Sequence, residues 1–154
     1  MAQNINQFAQ GPQKGEVDLR LGGSVVACQV DVTSAGGLVP GQAVKMVDSL
    51  GGVPKVVECA ADSDDVFGFI AYNIKNKFFA ALDYVEVAAM RNSVMYMESS
   101  AAVARFAKVM IVLAGSKVAT ATTGKTIVGR AYDKATASGA LIRVVIDLPG
   151  TLAP

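Results

Sequence analysis

Val66-Phe67-Gly68-Phe69-Ile70-Ala71-Tyr72 reads as a β-strand, rich in branched and aromatic side chains and closed by the polar turn 73–77. A glycine stands inside it. Glycine weakens a strand, so an interior one marks a bulge, a sharp bend or a close backbone approach. The same pattern returns, with a one-residue offset, as Val128-Gly129-Arg130-Ala131-Tyr132. Upstream of each lies a strand leaving a turn, 43–47 in one case and 108–112 in the other. Downstream, Val85 stands thirteen residues after Tyr72 and Val145 thirteen after Tyr132. These echoes predict two pseudo-repeats, about 41–88 and 105–146, pairing as half-barrels around one core.

Working outward, residues 16–21 alternate, with Val17, Leu19 and Leu21 opposite Glu16, Asp18 and Arg20. Further strands are predicted over 24–32, 43–47, 53–59, 83–90, 94–98, 109–113, 126–132 and 141–146, separated by glycine-containing turns. Residues 99–108 carry the one helix expectation, with Ser99 or Ser100 as cap and several alanines. Many short strands at about 8–12 residue spacing indicate a barrel or sandwich. Residues 1–15, rich in Gln, Asn and Gly, are expected as a flexible arm with Ile5 and Phe8 as its large apolar groups. Residues 148–154 are expected as a C-terminal tail, because Pro149 and Pro154 oppose a regular element. The fold class is therefore mainly β: a small barrel or β-tulip-like domain over 16–147, with at most one short helix.

The 154 residues suit one domain or two small packed ones. Apolar residues make up 52% and charged ones 18%, with mean hydropathy +0.40. That balance suggests apolar surface buried between subunits or against a partner. Net charge is +1, and no basic run exceeds the isolated Lys75 and Lys77, so nucleic acid is not an expected partner. The longest apolar run, near 109–115, is far short of the roughly 20 residues that span a bilayer. The N-terminus has no apolar core or basic head, so no signal peptide and no membrane partner are expected. Cys28 and Cys59 read as buried free thiols of a reducing compartment.

There is no histidine. That removes the commonest general base and metal ligand, and with it Ser–His and Cys–His nucleophile pairs. No cofactor, metal or small-molecule substrate is implied. Residues 119–126 (Ala-Thr-Ala-Thr-Thr-Gly-Lys-Thr) fit a relaxed phosphate-loop spacing. A phosphate loop opens a helix, whereas Gly124-Lys125-Thr126 runs into strand, so a hairpin turn is expected. Asp62-Ser63-Asp64-Asp65 lacks the glycine and terminal glutamate of a calcium loop and reads as a solvated turn. Met90, Met95, Met97 and Met110 read as core or interface fillers.

Val39-Pro40-Gly41-Gln42-Ala43-Val44, Val66-Phe67-Gly68-Phe69-Ile70-Ala71, Tyr84-Val85-Glu86-Val87, Ile127-Val128-Gly129-Arg130-Ala131-Tyr132 and Ile142-Arg143-Val144-Val145-Ile146 together resemble the capsid decoration, or cement, proteins of tailed bacteriophages. The resemblance covers about 38–147, with 73–82 and 92–108 as insertions relative to the simplest members. It implies a non-enzymatic, usually trimeric virion protein, assembled in the host cytoplasm. Such a protein sits outside the expanded head and clamps major capsid protein subunits. Ile5, Phe8, Val17, Leu19 and Leu21 are then the candidate capsid- or subunit-binding residues, the arm adding a strand to a partner's sheet. Rival expectations are another virion or tail β-domain, a small hydrolase using Asp64 or Asp65, and a hollow ligand-binding barrel.

Overall fold

The computed structural model describes residues 11–18, 21, 24–48, 52–62, 64–73 and 75–154. Among them no helix occurs and ten strands do: β1 (Val26–Val30), β2 (Ala43–Asp48), β3 (Lys55–Glu58), β4 (Gly68–Ile70), β5 (Tyr84–Ala88), β6 (Val94–Glu98), β7 (Lys108–Val112), β8 (Lys117–Thr120), β9 (Thr126–Ala131) and β10 (Leu141–Leu152). β1-β3-β2-β4-β5 form a closed barrel, and β6-β10-β9-β7-β8 form a second five-stranded sheet.

The two sheets share one wiring. In the first, β1 meets β3 in parallel at Val30↔Val56. In the second, Ser99 at the end of β6 meets Val118 of β8 in a parallel bridge. The registers agree strand by strand: Val44↔Gly68 matches Val109↔Gly129, Val26↔Val87 matches Met95↔Val144, and Met46↔Val56 matches Ile111↔Val118. The bridge Leu38↔Phe79 has its counterpart in Val103↔Ala135. This correspondence takes in β1 and β6, outside the boundaries expected from sequence. It equates Val85 with Ile142 rather than with Val145, because Cys28↔Val85 answers Met97↔Ile142.

The pleat sorts the side chains. Cys28, Val30, Val44, Val56, Ile70, Val85 and Val87 fill the first barrel. Their neighbours Ala43, Phe69 and Ala88 point outward, and they join Met95, Val109, Ile111, Val118, Ile142 and Val144 of the second sheet in one buried cluster. The outer face of the first barrel is thus part of the second unit's core. At this seam the Ala43 amide donates to the Gly115 carbonyl over 2.9 Å. Gly115 has φ +73, and a Cβ there would lie 2.7 Å from the Ala43 Cβ, so glycine is required twice over.

Several sequence expectations change. Residues 99–108 are not helical: single bridges at Ser99 and Val103 are joined by a bend and followed by a turn at 105–106. Ser99 donates to Ala140, Ser100 to Val118, and Val103 exchanges bonds with Ala135, which outweighs the weak propensity of a ten-residue helix. Residues 148–152 belong to β10 and pair with β9 at Thr151↔Ile127 and Leu152↔Thr126, past a register shift that begins after Ile146. Pro149, preceded by a cis peptide, sits inside that irregularity, where no ladder bond is demanded of it. Residues 15–18 form no long strand. Gly15 donates to Tyr96 over 2.7 Å, Tyr96 to Glu16 over 2.9 Å, and Asp18 to Val94 over 2.8 Å. Gly15, the last residue of the expected arm, and the first residues of the expected 16–21 strand therefore lie along β6. β8 went unpredicted, since Lys117-Val118-Ala119-Thr120 is short and carries one large apolar side chain.

Candidate functional site

Of the residues nominated from sequence, Ile5, Phe8 and Leu19 lie outside the described residues. Val17 bridges Met95 and packs half-buried against the second core. Leu21 is exposed, and its amide donates to the Asp18 carbonyl. Val17 and Leu21 therefore face different surroundings. The alternation breaks at Asp18, which is buried, with its carboxylate 3.7 Å from Arg143.

The acidic turn has a structural role. The Asp64 carboxylate accepts from the amides of Ala60 and Ala61 and from Lys45 Nζ at 3.1 Å. These bonds, the Ala61 amide foremost, hold its pKa below the usual value. No group of three or more metal-ligating side chains occurs among the described residues. The phosphate-loop-like segment is the turn between β8 and β9, with Gly124 at φ +76. Cys28 and Cys59 are free and buried, and burial pushes their thiols up to about 11 and about 12. Met95, Met97 and Met110 are buried, whereas Met90 is exposed. A cavity of about 300 Å³ is lined by Ala27, Ala71, Asn73, Phe79, Tyr84, Val85 and Glu86. Its single carboxylate leaves paired-carboxylate hydrolysis without a second group there.

What the molecule does present is surface. Leu82, Tyr84, Phe106 and Leu113 are all more than half exposed. Leu82, Phe106 and Leu113 also have positive φ, at 71°, 65° and 51°, which is costly for a side chain with a Cβ. The repeat sharpens this. Gly41 donates to Ile70 as Phe106 donates to Ala131, and Leu82 donates to Val30 as Gly139 donates to Ser99. At each equivalent turn one unit uses glycine and the other a bare apolar side chain.

Beside Phe106, the outer face of β7 and β9 is basic. Lys108 and Arg130 are direct cross-strand partners, and both are exposed. Arg143 on the neighbouring β10 lies 4.6 Å from the Tyr132 ring centroid. It grips Asp133 through Nε and Nη2, each at 2.8 Å, and through its amide at 3.1 Å. The guanidinium bonds hold the Asp133 carboxyl below its usual range, and Asp133 in turn raises the Arg143 pKa. Sequence reading missed this face because Lys108 and Arg130 stand 22 positions apart in the chain. Laying the two repeats together would have found it, since Lys108 falls on Ala43 and Arg130 on Phe69.

The fold has a solved counterpart. The chain is similar to the N base of head fiber gp8.5 of bacteriophage phi29, with a TM-score of 0.52 and 10% sequence identity over 80% of this chain and 93% of that one. At that identity the likeness is one of fold. No protein-family model matches the chain, and no curated protein matches its sequence.

Proposed function

We propose that this chain is a structural protein of a phage virion that decorates the outer surface of the expanded head and stabilises it by clamping major capsid protein subunits. One observation carries the reading: the fold is similar, over 80% of this chain, to a protein described as the N base of a phage head fiber. The sequence resemblance to phage cement proteins points the same way. The physical requirements also fit. A decoration protein needs a rigid plug and many modest contacts multiplied by symmetry, not a reactive centre.

In this reading the protein acts as a homotrimer, without cofactor, nucleic acid or membrane. Val17 pins the foot of the N-terminal segment to β6. Ile5 and Phe8 ahead of it, and Leu19 and Leu21 behind it, contact the shell or a neighbouring subunit. The test is to mix purified protein with undecorated expanded heads and measure co-sedimentation and resistance of the heads to heat. Saturable binding with a raised disruption temperature is expected. Protein remaining wholly in the supernatant at micromolar concentration overturns the reading. Removal of residues 1–10 should weaken binding at least tenfold while leaving the melting temperature unchanged.

A further inference from the structure

Like charges placed directly across a sheet ladder destabilise it. Lys108 and Arg130 are placed in that way. Among the described residues neither forms an ion pair. Arg105 and Lys134 are likewise exposed and form no ion pair among the described residues. Asp133 is engaged by Arg143 through three bonds. The fold thus keeps a self-repelling pair of cations on an open surface, neither of them ion-paired among the described residues.

The repeat shows what this face does elsewhere in the molecule. The equivalents of Lys108 and Arg130 are Ala43 and Phe69, both fully buried where the first barrel joins the second. In one unit the outer face of these strands is already a contact between the chain's two units. In the other it is open, its apolar pair replaced by cations and flanked by Phe106 and Tyr132.

We propose that the Lys108–Arg130 face, with Phe106 and Tyr132 at its margin, is a docking surface for a carboxylate-rich patch on the major capsid protein. The proposal rests on the head-decoration reading and deepens it by naming the face and the partner's chemistry. Carboxylates arriving opposite the pair convert a repulsive contact into charge-assisted hydrogen bonds, and the exposed rings supply apolar area beside them. A protein surface fits better than nucleic acid. The patch is small, the chain carries a net charge of only +1, and the equivalent face already buries protein.

The signature is a variant that gains in the fold what it loses in binding. Lys108→Glu places an anion opposite Arg130, so its melting temperature should equal or exceed that of the unaltered protein. Its affinity for undecorated expanded heads should fall at least tenfold, and the dependence of affinity on salt should flatten. The double variant Lys108→Gln/Arg130→Gln, which removes charge without reversing it, should show the same loss with the fold intact. Lys75→Glu/Lys77→Glu, altered on the first unit, should bind like the unaltered protein. Full head binding by both Lys108 variants overturns the proposal. So does duplex DNA binding that is lost in Lys108→Glu while head binding persists, because that assigns the face to nucleic acid. If the unaltered protein itself ignores heads, the decoration reading falls first, a result distinct from either of these.

Discussion

Gly68 and Gly129 occupy matched places, each facing the next strand with no room for a methyl group. A Cβ on Gly68 would lie 2.5 Å from Val87 Cγ1 and 2.7 Å from the Ala88 carbonyl oxygen, and one on Gly129 would strike the Val145 carbonyl oxygen. The motif that opened the sequence reading is therefore a close backbone approach, one of the meanings a strand glycine has. Gly129→Ala should cost about 1–3 kcal/mol in urea denaturation, as overpacking does. Phe106→Gly should behave oppositely. It removes a left-handed residue that Gly41 replaces in the other unit, so stability should hold or rise by up to about 1 kcal/mol. The pH profile follows from a few side chains. Asp31, Asp64 and Asp133 have pKa values below the ordinary 3.8, so their stabilisation is complete above that value and is lost as pH falls through the lower folded values. Cys28 and Cys59 are raised from 9.0 to about 11 and about 12, so the unfolded chain ionises first and stability declines as pH climbs above 9. With no histidine, the melting temperature should stay level between pH 5 and 8 and drop at both ends. An inflection near pH 6.5 would contradict this.

At the scale of elements, alternation and turn glycines sufficed for most strands, because a half-buried strand writes its two faces into the sequence. β5, with Tyr84 and Glu86 out and Val85 and Val87 in, is the clearest case. Three places resisted for physical reasons. β8 is too short to alternate visibly. Residues 99–108 have helical composition, but tertiary hydrogen bonds hold them in isolated bridges, a bend and a turn. β10 continues through Pro149 because a register irregularity absorbs it. The candidate site was less legible still, since it depends on two residues meeting across a ladder. The C-terminal correction gives a prediction. Leu148 and Ala153 are buried, and Ala153 donates to Lys125 while accepting from Gly124. Truncation after Asp147 should therefore lower stability by about 2–4 kcal/mol, combining a lost buried leucine with lost pairing. An untethered tail would leave the denaturation midpoint unmoved.

Across the whole molecule, the shared cluster decides how the two units behave. Ala43, Phe69, Ala71 and Ala88 from the first barrel are buried together with the interior of the second sheet, so opening either unit exposes this shared cluster. Calorimetry should show a single transition with equal calorimetric and van't Hoff enthalpies, and two resolved peaks would disprove this coupling. The attachment of the chain's two flanks has a mechanical consequence. Residues 15–18 lie on β6, and β10 lies on the opposite side of β6 as well as on β9. Tension applied between these flanks is carried across β6 in the second unit, and it reaches the first unit through the Tyr72 amide, which donates to the Gly15 carbonyl over 2.7 Å. In the proposed decoration role, a shell straining outward would pull on the half of the molecule that is already cross-tied.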